Sequence, residues 1–104
     1  MSRREQLESL LQQSPKDAFL RYALALESAR EGNVADAIER LRMLLADDPQ
    51  YVPAYLQSAQ FLTREGRADD AVSTLQRGIA VAEQAGNLHA AGEMQALLAQ
   101  LNEV

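Results

Sequence analysis

The sequence has no cysteine and no tryptophan, a single histidine, three prolines and five glycines in 104 residues. Each shortage excludes something. Without cysteine there is no disulfide framework, thiol nucleophile or zinc–thiolate site, and the lone His89 leaves no histidine cluster for a metal. No apolar run approaches the roughly 20 residues that a membrane-spanning helix needs. The opening residues, Met1 to Gln6, lack the apolar stretch of a secretory signal, so a cytoplasmic location is expected. Basic residues are also the minority, 10 against 15 acidic, and a net charge of −5 argues against nucleic acid or an anionic membrane as the main partner. What the chain does have is 47% hydrophobic residues, with 18 alanines and 16 leucines, too apolar for intrinsic disorder. A chain of this length holds one modest core, hence a single domain over 1–104.

The few prolines and glycines are regularly placed. Pro15 and Pro49 stand 34 residues apart, and so do Gly32 and Gly66. A shift of 34 also pairs Ala25 with Ala59, Arg30-Glu31-Gly32 with Arg64-Glu65-Gly66, Asp36-Ala37 with Asp70-Ala71 and Leu41 with Leu75. Extended backwards, it pairs Glu5, Leu7, Leu10, Leu11 and Pro15 with Glu39, Leu41, Leu44, Leu45 and Pro49. Within each unit, apolar residues recur at steps of three and four, the spacing of one helix face. Gly32 and Gly66 follow apolar stretches ending in Arg-Glu, where a left-handed residue closes a helix, and Pro53 suits a first helical turn. The pattern predicts six helices, at about 3–13, 17–30, 34–47, 53–64, 68–85 and 88–102.

A 34-residue helix–turn–helix unit of this kind resembles the tetratricopeptide repeat (TPR). The family pattern W-x2-L-G-x2-Y…A-x3-F…P falls on Arg21, Leu24, Ala25, Ser28, Ala37, Leu41 and Pro49, and then on Tyr55, Ser58, Ala59, Leu62, Ala71, Leu75 and Glu83. The small slots are well kept by Ala25, Ala59, Ala37 and Ala71. The large ones are degenerate: Arg21 replaces an aromatic, Ser28 and Ser58 replace larger residues, and Glu83 replaces the closing proline. The resemblance implies an all-α, TPR-like solenoid of six antiparallel helices in a right-handed superhelical stack, with a half repeat at 3–15, repeats at 18–51 and 52–85, and a capping helix in 86–104. In that cap Leu88, Ala91, Met94, Leu98 and Leu101 are expected to cover the last repeat, with Gln95, Gln100 and Glu103 facing water.

In TPR proteins the first (A) helix of each repeat lines a concave surface that receives a peptide or a partner helix. The resemblance therefore implies a non-enzymatic protein-binding module without a cofactor or metal, its candidate contacts being Phe19, Tyr22, Leu26, Leu56, Gln57, Gln60 and Arg64. The first A helix is apolar nearly all round, so either neighbouring helices cover Phe19, Tyr22 and Leu26 or these form an exposed patch. The alternative function is a self-associating domain, a homodimer through the same face or the last helix, and monomer and homodimer both stay open. One TPR subclass holds a C-terminal carboxylate with Lys, Asn and Arg side chains; the corresponding positions here are Tyr22, Leu26, Gln57, Asn87 and Ala91, so no cationic clamp forms. Arg30 and Arg64 suit the last turns of helices, where a cation offsets the dipole. Asp47-Asp48 and Asp69-Asp70 are expected in turns beside helix starts, and His89 at a helix end with no second ligand nearby. Glu27, Glu31 and Glu93 have no evident catalytic partner.

Overall fold

The computed structural model describes residues 1–103, and among them are six helices and no strand. They are α1 (Arg3–Gln13), α2 (Ala18–Arg30), α3 (Val34–Asp47), α4 (Pro53–Arg64), α5 (Ala68–Gln84) and α6 (Leu88–Asn102). The chain falls into two compact units, one of Met1–Asp48 and one from Pro49 onward.

Local chemistry sets each helix start. Ser2 and Glu5 form a capping box on α1, the Ser2 hydroxyl accepting from Glu5 N at 3.1 Å while Ser2 N donates to the Glu5 carboxylate at 3.2 Å. Asp17, Asn33 and Asn87 cap α2, α3 and α6 by accepting from the backbone N–H three residues on. Helix α4 begins with Pro53, whose missing N–H is no loss at that position. The ends of α2, α4 and α5 share one device: a glycine with positive φ (Gly32 93°, Gly66 73°, Gly86 75°), followed by an N–H that returns to the carbonyl five residues back. Gly86 adds a stop that the 34-residue period does not contain. Where the family's closing proline would stand, Glu83 lets α5 run on to Gln84, so α5 has 17 residues against 14 in α3.

In the first unit α2 packs against α3 on one side and α1 on the other. Ala25, Ala37 and Leu41 are fully buried between α2 and α3, while Leu7 of α1 joins Ala23 and Leu24, flanked by Leu11 and Leu20. In the second unit α5 lies against both α4 and α6. Its core holds Tyr55, Ala59, Leu62, Ala71, Leu75, Ala82 and Met94. The four alanines of the small slots, Ala25, Ala37, Ala59 and Ala71, all have no exposed surface, as close approach of paired helices demands.

Three expectations are corrected. Leu88 is 73% exposed and does not share the buried face of Ala91 and Met94; it is the first residue of α6, at the edge of the packed surface. Asp47 ends α3 and Asp48 caps its C-terminus, so this pair does not stand at a helix start; Asp47 is instead tied to Arg21 at 2.9 Å. Asp69 and Asp70 lie inside the first turn of α5, where their charge complements the helix dipole, and Asp70 pairs with Arg67 at 2.9 Å.

Candidate protein-binding surface

Phe19, Tyr22 and Leu26 follow one another at three and four residues along α2 and so share a face. Phe19 is 62% exposed, and Tyr22 and Leu26 are half-buried. Helix α1 covers a different side of α2, the one carrying Leu20, Ala23 and Leu24. An apolar helix surrounded on two sides thus keeps one large aromatic ring in water.

A polar relay fixes α1 in that position. Arg4 Nη2 donates to the Ser28 hydroxyl at 2.7 Å, Ser28 donates to Asp36 Oδ2 at 2.7 Å, and Arg40 Nε donates to the same oxygen at 2.7 Å. Arg4 also pairs with Glu31 at 2.8 Å, and Arg3 approaches Glu27 at 3.8 Å. The Arg40 and Ser28 hydrogen bonds hold the Asp36 carboxyl below its usual range. Ser28 is wholly buried, and its short side chain in a slot meant for a large one leaves room for the Arg4 guanidinium. The sequence marked Ser28 as a departure from the family pattern; its partners come from helices 24 and 8 residues away and carried no local signal.

On α4, Leu56, Gln60 and Arg64 recur every four residues, with Gln57 beside them. Leu56 and Gln57 are half-buried, Gln60 and Arg64 exposed. The Arg64 guanidinium stacks over the ring of the buried Phe61 at 5.3 Å and sits in the last turn of α4, while Arg30 has the same station in α2. The candidate contacts therefore form two sets, an apolar one on α2 and a mainly polar one on α4.

His89 does have a partner: its Nε2 lies 3.3 Å from Glu93, one helical turn on, and both side chains are exposed. Among the described residues no three His, Asp or Glu side chains are gathered as metal ligands, and no helix is long and apolar enough to cross a membrane.

Six helices, repeated in A and B pairs about buried alanines, define an all-α helical repeat protein. The family model of the tetratricopeptide repeat matches residues 28–101, and the chain belongs to that family. It is similar to a tetratricopeptide repeat domain protein from Salinibacter ruber, whose solution structure is 33% identical with a TM-score of 0.83, over 86% of this chain and 91% of that one. A crystal structure of such a protein from the same organism is also 33% identical, with a TM-score of 0.80 over 85% and 98%. A Bordetella parapertussis protein of 27% identity gives a TM-score of 0.85 over 99% and 90%. No curated protein sequence matches the chain. Tetratricopeptide repeats mediate protein–protein interactions and are as a rule not catalytic.

Proposed function

We propose that the chain is a non-enzymatic, cytoplasmic interaction module whose A helices receive a peptide or partner helix, through Phe19, Tyr22 and Leu26 on α2 and through Leu56, Gln57, Gln60 and Arg64 on α4. The observation that carries this reading is Phe19, 62% exposed on the side of α2 that α1 leaves uncovered. A large aromatic in water beside two half-buried apolar neighbours is the usual make-up of an interaction anchor. The polar side chains of α4 add direction, Gln57 and Gln60 as donors and acceptors and Arg64 as a cation. With a net charge of −5, the partner is a protein surface and not nucleic acid or an anionic membrane.

Affinity capture with the wild type and with Phe19→Glu, both checked by circular dichroism, tests the assignment. Phe19 is exposed enough for the variant to fold, and burying a phenylalanine is worth roughly 2 kcal/mol, so partner affinity should fall by about 10-fold or more. A folded variant that keeps every partner at wild-type affinity removes α2 from the contact surface. Light scattering over a concentration series addresses self-association: a constitutive dimer that Phe19→Glu dissolves assigns this face to a second copy.

A further inference from the structure

The slot that holds Tyr55 in α4 holds Arg21 in α2, and the same shift of 34 residues sets Met43 of α3 against Arg77 of α5. In the second unit the pair is a guanidinium over a ring, with Arg77 standing 5.7 Å from the centre of Tyr55. In the first unit the charge has changed helix: the guanidinium belongs to α2 and its counterpart on α3 is a thioether. Arg21 and Met43 line one cavity of about 150 Å³, together with Leu11 of α1, Leu24 of α2 and Arg40 of α3. Leu11 is half-buried, and beside Leu7 it is what α1 sets against Ala23 and Leu24. The apolar wall that Met43 completes is therefore the one on which α1 rests.

The three methionines differ in access. Met94 has no exposed surface and Met1 is exposed, whereas Met43 is 50% exposed while still lining the cavity. A half-exposed thioether is open to a small oxidant, and a sealed one is not. Two guanidinium groups face the product. Arg21 spends Nη1 on Asp47 and Arg40 spends Nε on Asp36, and each guanidinium carries five N–H donors in all.

We propose that Met43 is a reversible oxidation site for peroxides, and that its oxidation loosens α1. A sulfur lone pair attacks one oxygen of hydrogen peroxide, the S–O bond forms as the O–O bond breaks, and the proton on the transferred oxygen passes through solvent to the departing hydroxide, which leaves as water. The sulfur is oxidised by two electrons and the peroxide is reduced. The sulfoxide is polar and its oxygen accepts hydrogen bonds, so it turns from Leu11 and Leu24 toward water and the N–H groups of Arg21 and Arg40. Leu11 loses apolar cover, in the helix that has only Leu7 fully buried.

The test is peroxide treatment of the full chain, read by peptide mass spectrometry and by amide hydrogen exchange. Met43 should oxidise within about fivefold of the rate of free methionine and about fiftyfold or more faster than Met94. In the oxidised protein, exchange along α1 should quicken about threefold or more, and the guanidinium N–H resonances of Arg21 or Arg40 should shift. Methionine sulfoxide reductase should reverse both changes. Met43→Leu keeps the apolar cover and has no sulfur at this position, so its α1 should exchange at the same rate before and after peroxide. Met43→Gln places a polar group of similar length there and should quicken exchange along α1 without any peroxide. Oxidation of Met43 as slow as that of Met94, unchanged exchange along α1 once Met43 is fully oxidised, or the same quickening in peroxide-treated Met43→Leu would overturn the proposal.

Discussion

At the residue scale, Gly78 and Gly92 show that one residue type in a helix interior carries opposite consequences. Glycine costs a helix roughly 1 kcal/mol relative to alanine, so both positions need a reason. Gly78 has one: a Cβ there would lie 2.5 Å from Tyr55 Cβ and 2.6 Å from the Met94 sulfur. The counterpart of Gly78 in the first unit is Leu44, opposite the slot of Arg21, so the large ring at 55 goes with the missing side chain at 78. Gly92 has no such neighbour, as a Cβ there meets nothing within 4 Å. Gly78→Ala should therefore lose about 1–2 kcal/mol, overpacking outweighing the gain in helix propensity, and Gly92→Ala should gain up to about 1 kcal/mol. Urea unfolding of the two variants checks both signs, and a stabilised Gly78→Ala would mean that Tyr55 and Met94 yield freely. Tyr55→Phe removes the hydroxyl from the Pro49 carbonyl and should cost about 1 kcal/mol in the same assay.

At the element scale, the helices were legible because their signals are local. Pro53 announces a start, Gly32 and Gly66 announce ends, and the periodicity between them leaves an uncertainty of one residue at α2 and α5. The side of α2 that α1 covers was not legible. The helix is apolar nearly all round, so its sequence favours no side, and the choice rests on Leu7 and on the relay from Arg4 through Ser28 to Asp36. That account makes α1 the least secured helix of its unit, since Leu7 is its one buried residue. Amide hydrogen exchange should show α1 protected least among α1, α2 and α3. Ser28→Ala, which leaves Arg4 without its buried acceptor, should lower the protection of α1 further and cost about 1–2 kcal/mol overall. Equal protection of α1 and α3 would show that the relay matters less than the buried area.

At the scale of the whole molecule, the acidic balance turns carboxylate chemistry into a condition for stability. Among the described residues three carboxyl groups are held below their ordinary range, each by hydrogen bonds: Asp36 by Arg40 and Ser28, Glu5 by the backbone and hydroxyl of Ser2, and Glu39 by Arg42. A group whose pKa is lower in the folded state contributes stability that is fully present above its unfolded pKa and is lost as the pH falls through the folded value. All three therefore act in the same direction. The melting temperature should be flat between about pH 6 and 8 and should fall progressively below about pH 4, where carboxylates in the unfolded chain take up protons before their folded counterparts. Arg40→Gln lets the Asp36 carboxyl return toward its ordinary value; the variant should be less stable at pH 7 and lose less on acidification, so that the two melting curves converge near pH 3. Melting temperatures followed by circular dichroism from pH 3 to pH 8 measure this. Parallel curves for the variant and the wild type would show that Asp36 does not contribute to the acid transition, and a wild-type melting temperature that holds down to pH 3 would remove all three capped or paired carboxylates from the account.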